Sequence, residues 1–174
     1  MKTLIISYSL TGNNAKLAQG LSNELAADLL EINELRKRSI LSIICDVIFN
    51  RTPRIQQTSS ALSKYESLIF TAPVWMGMAA SPLRSLLKSV QKTKHNYAFV
   101  SISAGADGKN QKLETDLEKR TGISPLAVIN PLITDLFPDK KLSRKELDLY
   151  RLADNIAKQL VGQVSAERKT ILPK

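Results

Sequence analysis

Five short apolar segments recur along this chain of 174 residues, at 3–8, 29–32, 66–72, 97–102 and 126–129, and helical patterns separate most of them. A strand with water on one face alternates apolar and polar side chains. Tyr97-Ala-Phe-Val-Ser-Ile102 does not alternate, so both of its faces must be covered. Parallel neighbours need a crossover of a dozen or more residues, and the intervening stretches supply one. Ala15, Leu17, Ala18, Leu21, Leu25 and Ala26 fall at helical spacing, which predicts a helix from about 13 to 27. Ser81-Pro82 opens another helix, with proline in the first turn where its missing N–H costs nothing. A Lys- and Glu-rich helix ends near Arg120, and Ser143, with Glu146 three residues on, caps a last helix reaching Val161. The pattern predicts an α/β fold: a doubly wound five-stranded parallel sheet with helices on both faces. No repeat, low-complexity tract or linker interrupts it, so residues 1–174 read as a single domain.

Composition narrows the setting. An apolar fraction of 43% and a charged fraction of 24% are those of a soluble globular chain. Cys45 is the only cysteine, which rules out an intrachain disulfide or a cysteine metal cage and fits a cytoplasmic, reducing location. No secretory cleavage site follows the N-terminus, and no apolar run reaches transmembrane length. The formal net charge of +9 would suit nucleic acid, an anionic membrane or an acidic protein. Yet the lysines and arginines are dispersed, denser only near 36–38, 140–145 and 168–174. They are not interleaved with aromatics as in single-strand binders, so no nucleic-acid partner is expected. Solvated helix faces and a basic tail are the plainer account of the charge.

Segment 33–60 is too long for a simple connection. Within it Ile40, Leu41, Ile43, Ile44, Val47 and Ile48 fall at helical spacing and predict an inserted amphipathic helix near 40–49 with one apolar stripe. Arg36-Lys-Arg38 precedes it; Arg51 and Arg54 follow. Such a helix packs on the sheet edge, closes as a lid over a ligand, or lies against an anionic membrane or a quinone-like substrate.

Doubly wound sheets bind ligands beyond the carboxyl ends of their strands. Three such ends are unusual here. After the first strand, Ser9-Leu10-Thr11-Gly12-Asn13-Asn14 turns directly into a helix. The first helical N–H groups have no intrahelical partner and lie at the positive end of the helix dipole, so the turn is an anion site. No Lys or Arg lies between Thr3 and Lys16, so neutral donors would hold a monophosphate rather than a metal-bound triphosphate. A Ser/Thr helix cap is the plainer reading. After the third strand, Pro73-Val74-Trp75-Met76-Gly77 carries the only tryptophan, a residue that a flat conjugated ring would cover. After the fourth, Ser103-Ala104-Gly105-Ala106 offers small residues whose backbone can approach a polar ring edge.

Together these loops resemble those of the flavodoxin-like FMN-binding proteins, and the resemblance spans the chain. Ser9, Thr11 and Gly12 match the family's phosphate loop, usually written S/T-x-T-G-x-T, whereas Asn14 stands where a second threonine is usual and lacks its hydroxyl. Segments 73–77 and 103–108 occupy the places of the two flavin-ring loops. The resemblance implies sheet order 2-1-3-4-5, bound FMN and redox chemistry carried by the flavin, with no side chain needed as a catalytic acid or nucleophile. Electron-carrier flavodoxins are typically acidic, whereas this chain is basic. That favours a reductase of a quinone or similar small acceptor, NAD(P)H:quinone reductase-like, over a non-enzymatic carrier serving a redox partner protein. A second class stays open: a binding module of the same fold without flavin, using its basic face on an acidic partner.

Other phosphate chemistries fit less well. Receiver domains need carboxylates at the first and third strand ends, where this chain has Ser7-Tyr8-Ser9 and Thr71-Ala72-Pro73. Cys45 and Arg51 have cysteine-phosphatase spacing, but no glycine lies between them to bend N–H groups around an oxyanion; Cys45 reads as a small buried residue. His95, the sole histidine, reads as exposed polar surface, and no metal site is argued.

Overall fold

The computed structural model describes residues 2–35, 39–57, 59–102, 111–131 and 152–162. Five strands, β1 (Thr3–Ser7), β2 (Asp28–Glu31), β3 (Ser67–Thr71), β4 (Asn96–Val100) and β5 (Ala127–Ile129), form one sheet. Every pairing is parallel and the order is β2-β1-β3-β4-β5. Helices α1 (Asn13–Leu25), α2 (Ile40–Ile48), α3 (Arg84–Thr93) and α4 (Gln111–Thr121) are joined by α5 over 152–162. The expected sheet and its order are what the structure has. Of the predicted last helix, the part before residue 152 lies outside the described residues, as does the turn 103–108.

Alternation along each strand divides the core in two. Leu4, Ile6, Leu68, Phe70, Tyr97 and Phe99 face α3 and α4, where Leu83, Leu86, Leu87, Val90, Leu113 and Leu117 cover them. Ile5, Ile69, Ala98 and Val100 face the other way onto Leu17, Ala18 and Leu21 of α1 and Ala153, Ile156 and Leu160 of α5. That two-sided burial explains why the middle positions of the central strands are apolar on both faces, since each buried aliphatic side chain contributes about 1.5–3 kcal/mol. Tyr97 carries a polar tip into this core. Its hydroxyl lies 3.1 Å from Thr121 Oγ1, and burial pushes its pKa up to about 12.

Element ends follow local chemistry. α1 closes two residues before the expected limit, because Ala26 turns left-handed (φ 47°) and the Ala27 N–H reaches back to the Ser22 carbonyl at 3.0 Å. Pro82 sits in a single 3₁₀ turn, Ser81–Leu83, that leads into α3. No helix among the described residues is long and apolar enough to cross a membrane.

The inserted helix forms where the periodicity places it, with Ser39 and Ser42 capping each other's backbone N–H groups. It is not packed as a sheet-edge core helix. Leu41 is 74% exposed, Ile48 and Phe49 are each 64% exposed, and Cys45, expected to be buried, is half-buried. The reason lies in its attachment. Ile43 and Val47 are only half-buried, and polar bonds tie the helix to the body: Asp46 Oδ2 accepts from Ser81 Oγ at 3.3 Å, and Arg84 Nη1 donates to the Asp46 carbonyl at 2.8 Å.

Candidate functional site at the strand ends

Register aligns the carboxyl ends of the three central strands. Ser7 pairs with Thr71, and Thr71 with Val100, so the segments leaving β1, β3 and β4 emerge side by side. The ladder continues one step further through Tyr8 N–H to the Thr71 carbonyl (2.9 Å) and Ala72 N–H to the Val100 carbonyl (3.3 Å).

The first of these segments ends in an open helix terminus. Gly12 is the residue before α1, with φ 91°, a conformation that side chains resist, and no side chain caps the helix. A Cβ at Gly12 would meet nothing within 4 Å, so the backbone there borders free space. Ser9 Oγ accepts the Gly12 N–H at 3.0 Å, which shapes the turn and leaves the Ser9 hydroxyl proton available to donate. Thr11 and Leu10 are exposed, while Ser9, Gly12 and Asn13 are half-buried.

Asn14 has a different job from the threonine that it replaces. Its side chain is buried, accepts the Ile102 N–H at 3.0 Å and donates to the Ile102 carbonyl at 3.3 Å. Both amide atoms are spent on backbone 88 residues away, so neither caps α1. The clamp ties the first turn of α1 to the end of β4, directly before Ser103-Ala104-Gly105-Ala106, which lie outside the described residues.

Pro73-Val74-Trp75-Met76-Gly77 is not a plain loop. Val74–Trp75 and Met78–Ala79 form an antiparallel ribbon, with Met76 (φ 51°) and Gly77 (φ 77°) as its two turn residues. Positive φ at both positions is the type I′ requirement, and it costs Met76 of order 1–3 kcal/mol. The turn holds a 64% exposed methionine at its tip. Lys112 lies across Gly77, where a Cβ would come within 2.8 Å of Lys112 Cδ, and Asp116 Oδ2 accepts the Ala79 N–H at 3.3 Å. The first turns of α4 therefore brace the ribbon from behind.

Trp75 is half-buried and meets Tyr8 edge to face, with ring centroids 5.9 Å apart and planes at 89°. Tyr8 in turn donates to Glu34 Oε1 at 2.7 Å. The structure thus brings 9–14 and 73–77 together through Tyr8, a residue that the sequence reading treated only as the end of a strand. Its signal was an aromatic closing an apolar run just before the phosphate-type turn. Glu34 carried no signal, because its role depends on where the start of the insertion folds.

Polar side chains at these strand ends lack protein partners. The hydroxyls of Ser7, Thr71 and Ser101 are buried and make no hydrogen bond, and neither amide atom of half-buried Asn130 makes one. These belong to, or directly follow, four adjacent strands. By alternation Ser7 and Thr71 fall on the α1 side of the sheet and Ser101 and Asn130 on the α3 side. A buried polar group without a partner costs about 1–3 kcal/mol, so each suits a place where water or a polar ligand completes the bonding. No group of three or more His, Cys, Asp or Glu among the described residues is placed to hold a metal. His95 is half-buried and pairs with Thr93.

Comparisons with known proteins place the fold. No family model matches the chain, and no curated protein resembles it significantly in sequence. Among solved structures, a flavoprotein in complex with FMN from Lactobacillus acidophilus superposes with a TM-score of 0.64 at 22% identity, over 74% of this chain and 92% of that one. A flavodoxin from Streptococcus pneumoniae TIGR4 gives 0.54 at 15% identity, over 94% and 99%. A flavodoxin, WrbA-like protein from Agrobacterium tumefaciens gives 0.52 at 15% identity, also over 94% and 99%. What these likenesses share with the chain, together with its strand order, is a flavodoxin-like fold.

Proposed function

We propose that the chain is an FMN-binding flavoprotein whose cofactor lies across the carboxyl ends of β1, β3 and β4. The observation that carries this reading is the uncapped first turn of α1, opened by Gly12 and clamped by Asn14 beside the end of β4. Backbone N–H groups there, with the Ser9 and Thr11 hydroxyls, would hold a phosphate at the positive end of the helix. Trp75 would cover the flavin ring, while Met76, Gly77 and the backbone of 103–106 would border its polar rim. The residues present fit the group: donors are neutral, the backbone at Gly12 is accessible, and buried hydroxyls stand unpartnered. The solved L. acidophilus structure of the same fold contains FMN, which supports the choice of ligand.

When bound, FMN would supply hydride and electron transfer; the chain's residues bind it, orient it and exclude water. The acceptor we propose is a quinone or similar small molecule, with NAD(P)H as donor, because a net charge of +9 departs from the acidic character of flavodoxin carriers. The test is the absorption spectrum of the purified protein, followed by titration of apoprotein with FMN. Flavin bands and quenched fluorescence are expected. Thr11→Ala should weaken FMN by roughly ten- to a hundredfold, the loss of one hydrogen bond to a charged group. Trp75→Ala should weaken it and restore fluorescence. Absence of binding at micromolar FMN would overturn the reading. Binding without NAD(P)H-driven quinone reduction would leave a carrier.

A further inference from the structure

The inserted helix half-buries Ile43 and Val47 but leaves Leu41, Ile44 and Ile48 uncovered. A surface helix normally buries its apolar stripe and exposes its polar side. In α2 the acid Asp46 faces inward to Ser81, while Leu41, Ile44 and Ile48, at i, i+3 and i+7, are 74%, 42% and 64% exposed. Phe49 extends the same patch at 64% exposure, and Leu35 before the helix is 57% exposed. Contiguous apolar exposure of this kind marks an interaction surface.

Charge selects the occupant. In sequence, Arg36, Lys37 and Arg38 come immediately before the helix cap Ser39, and Arg51 and Arg54 follow the helix. Arg51 lies over the Phe49 ring at 5.3 Å and is exposed, as is Arg54. Between residues 36 and 54 the only acid is Asp46, which is held on the inner side. A second copy of this face would set cation against cation. An anionic bilayer satisfies both parts, because apolar side chains enter the headgroup–acyl boundary while flanking arginines meet lipid phosphates.

We infer that α2 docks the protein onto an anionic membrane surface, with Leu41, Ile44, Ile48 and Phe49 inserted and Arg51 and Arg54 on the headgroups. The anchor is shallow and reversible. It does not depend on the flavin, so its test reads membrane binding directly.

Co-sedimentation with vesicles of equimolar phosphatidylcholine and phosphatidylglycerol should carry the protein down, and pure phosphatidylcholine vesicles should leave most of it in solution. Ile48→Asp should lower partitioning by roughly tenfold or more, the loss of one inserted aliphatic side chain. Arg51→Ala and Arg54→Ala should each lower it about fivefold, as expected for one cation near a charged surface. The arginine variants change only exposed side chains, so they keep the test valid if Ile48→Asp fails to fold. The inference is overturned if the protein ignores anionic vesicles or if folded Ile48→Asp binds as well as wild type. It also fails if sedimentation shows a dimer that Ile48→Asp dissociates.

Discussion

The chain starts two helices in opposite ways. α2 caps itself: Ser39 and Ser42 exchange hydrogen bonds within one turn, in water, and none of the helix's described side chains is fully buried. α1 has no side-chain cap, yet Leu17, Ala18 and Leu21 are fully buried and Asn14 is clamped to β4. A helix held by the core can leave its own terminus open, because its stability does not depend on capping that end. A helix outside the core needs its local cap, worth about 0.5–2 kcal/mol. The open end is where a ligand can bind; the self-capped helix is free to present its apolar face outward.

The largest effect should come from cutting the clamp. Asn14→Ala leaves the Ile102 N–H and carbonyl buried without partners, an expected loss of about 2–4 kcal/mol. For a chain of this size that lowers the melting temperature by roughly 4–16 °C. A loss below about 1 kcal/mol would show that the open helix end is held by packing alone.

The scaffold shared by both regions offers a pH test. Tyr97 has a pKa raised by burial to about 12, above the ordinary phenol value of 10.0. Folding therefore favours its protonated form. The associated stability is fully present below pH 10 and is lost as pH rises through about 12, of order 2–3 kcal/mol in all. Alkaline denaturation of wild type against Tyr97→Phe should show a steeper decline in wild type. Parallel curves would refute the assignment.

Gly77→Ala is expected to cost about 1–2 kcal/mol, from left-handed strain and the displacement of Lys112. Chemical denaturation measures this, and FMN titration of the same variant shows whether the ribbon's position matters to the site. Smallest of all, Leu41→Ala in α2 should shift stability by no more than about 0.5 kcal/mol, as for an ordinary surface change. A loss beyond 2 kcal/mol would make that stripe core and erase the contrast with α1.

Much of the frame was legible because it rests on short-range patterns. Non-alternating apolar runs required two-sided burial, helical spacing placed α1 and α2 within a few residues of their positions, and Ser81-Pro82 marked the approach to α3. The 73–77 ribbon was missed, since Met76-Gly77 is not a usual hairpin pair, and the turn is braced from a distant helix by Asp116 and Lys112. At the site, Ser9, Thr11, Gly12 and Trp75 were readable from residue type and position after a strand. The partnership of Tyr8 with Glu34 and Trp75 was not, because it joins three segments distant in sequence.

By itself, then, the sequence determined the layered α/β architecture and the turn at 9–14, both consequences of periodicity and of glycine and hydroxyl chemistry at fixed spacing, while the sheet order was implied only by the resemblance. Only the tertiary structure decided what Asn14 binds and which way α2 faces. Periodicity shows that a helix has an apolar stripe, but not whether that stripe looks at core or solvent. Here Asp46, Ser81 and Arg84 hold the helix through polar bonds between segments about 35 to 38 residues apart, with Leu41, Ile44 and Ile48 exposed and Ile43 and Val47 half-buried.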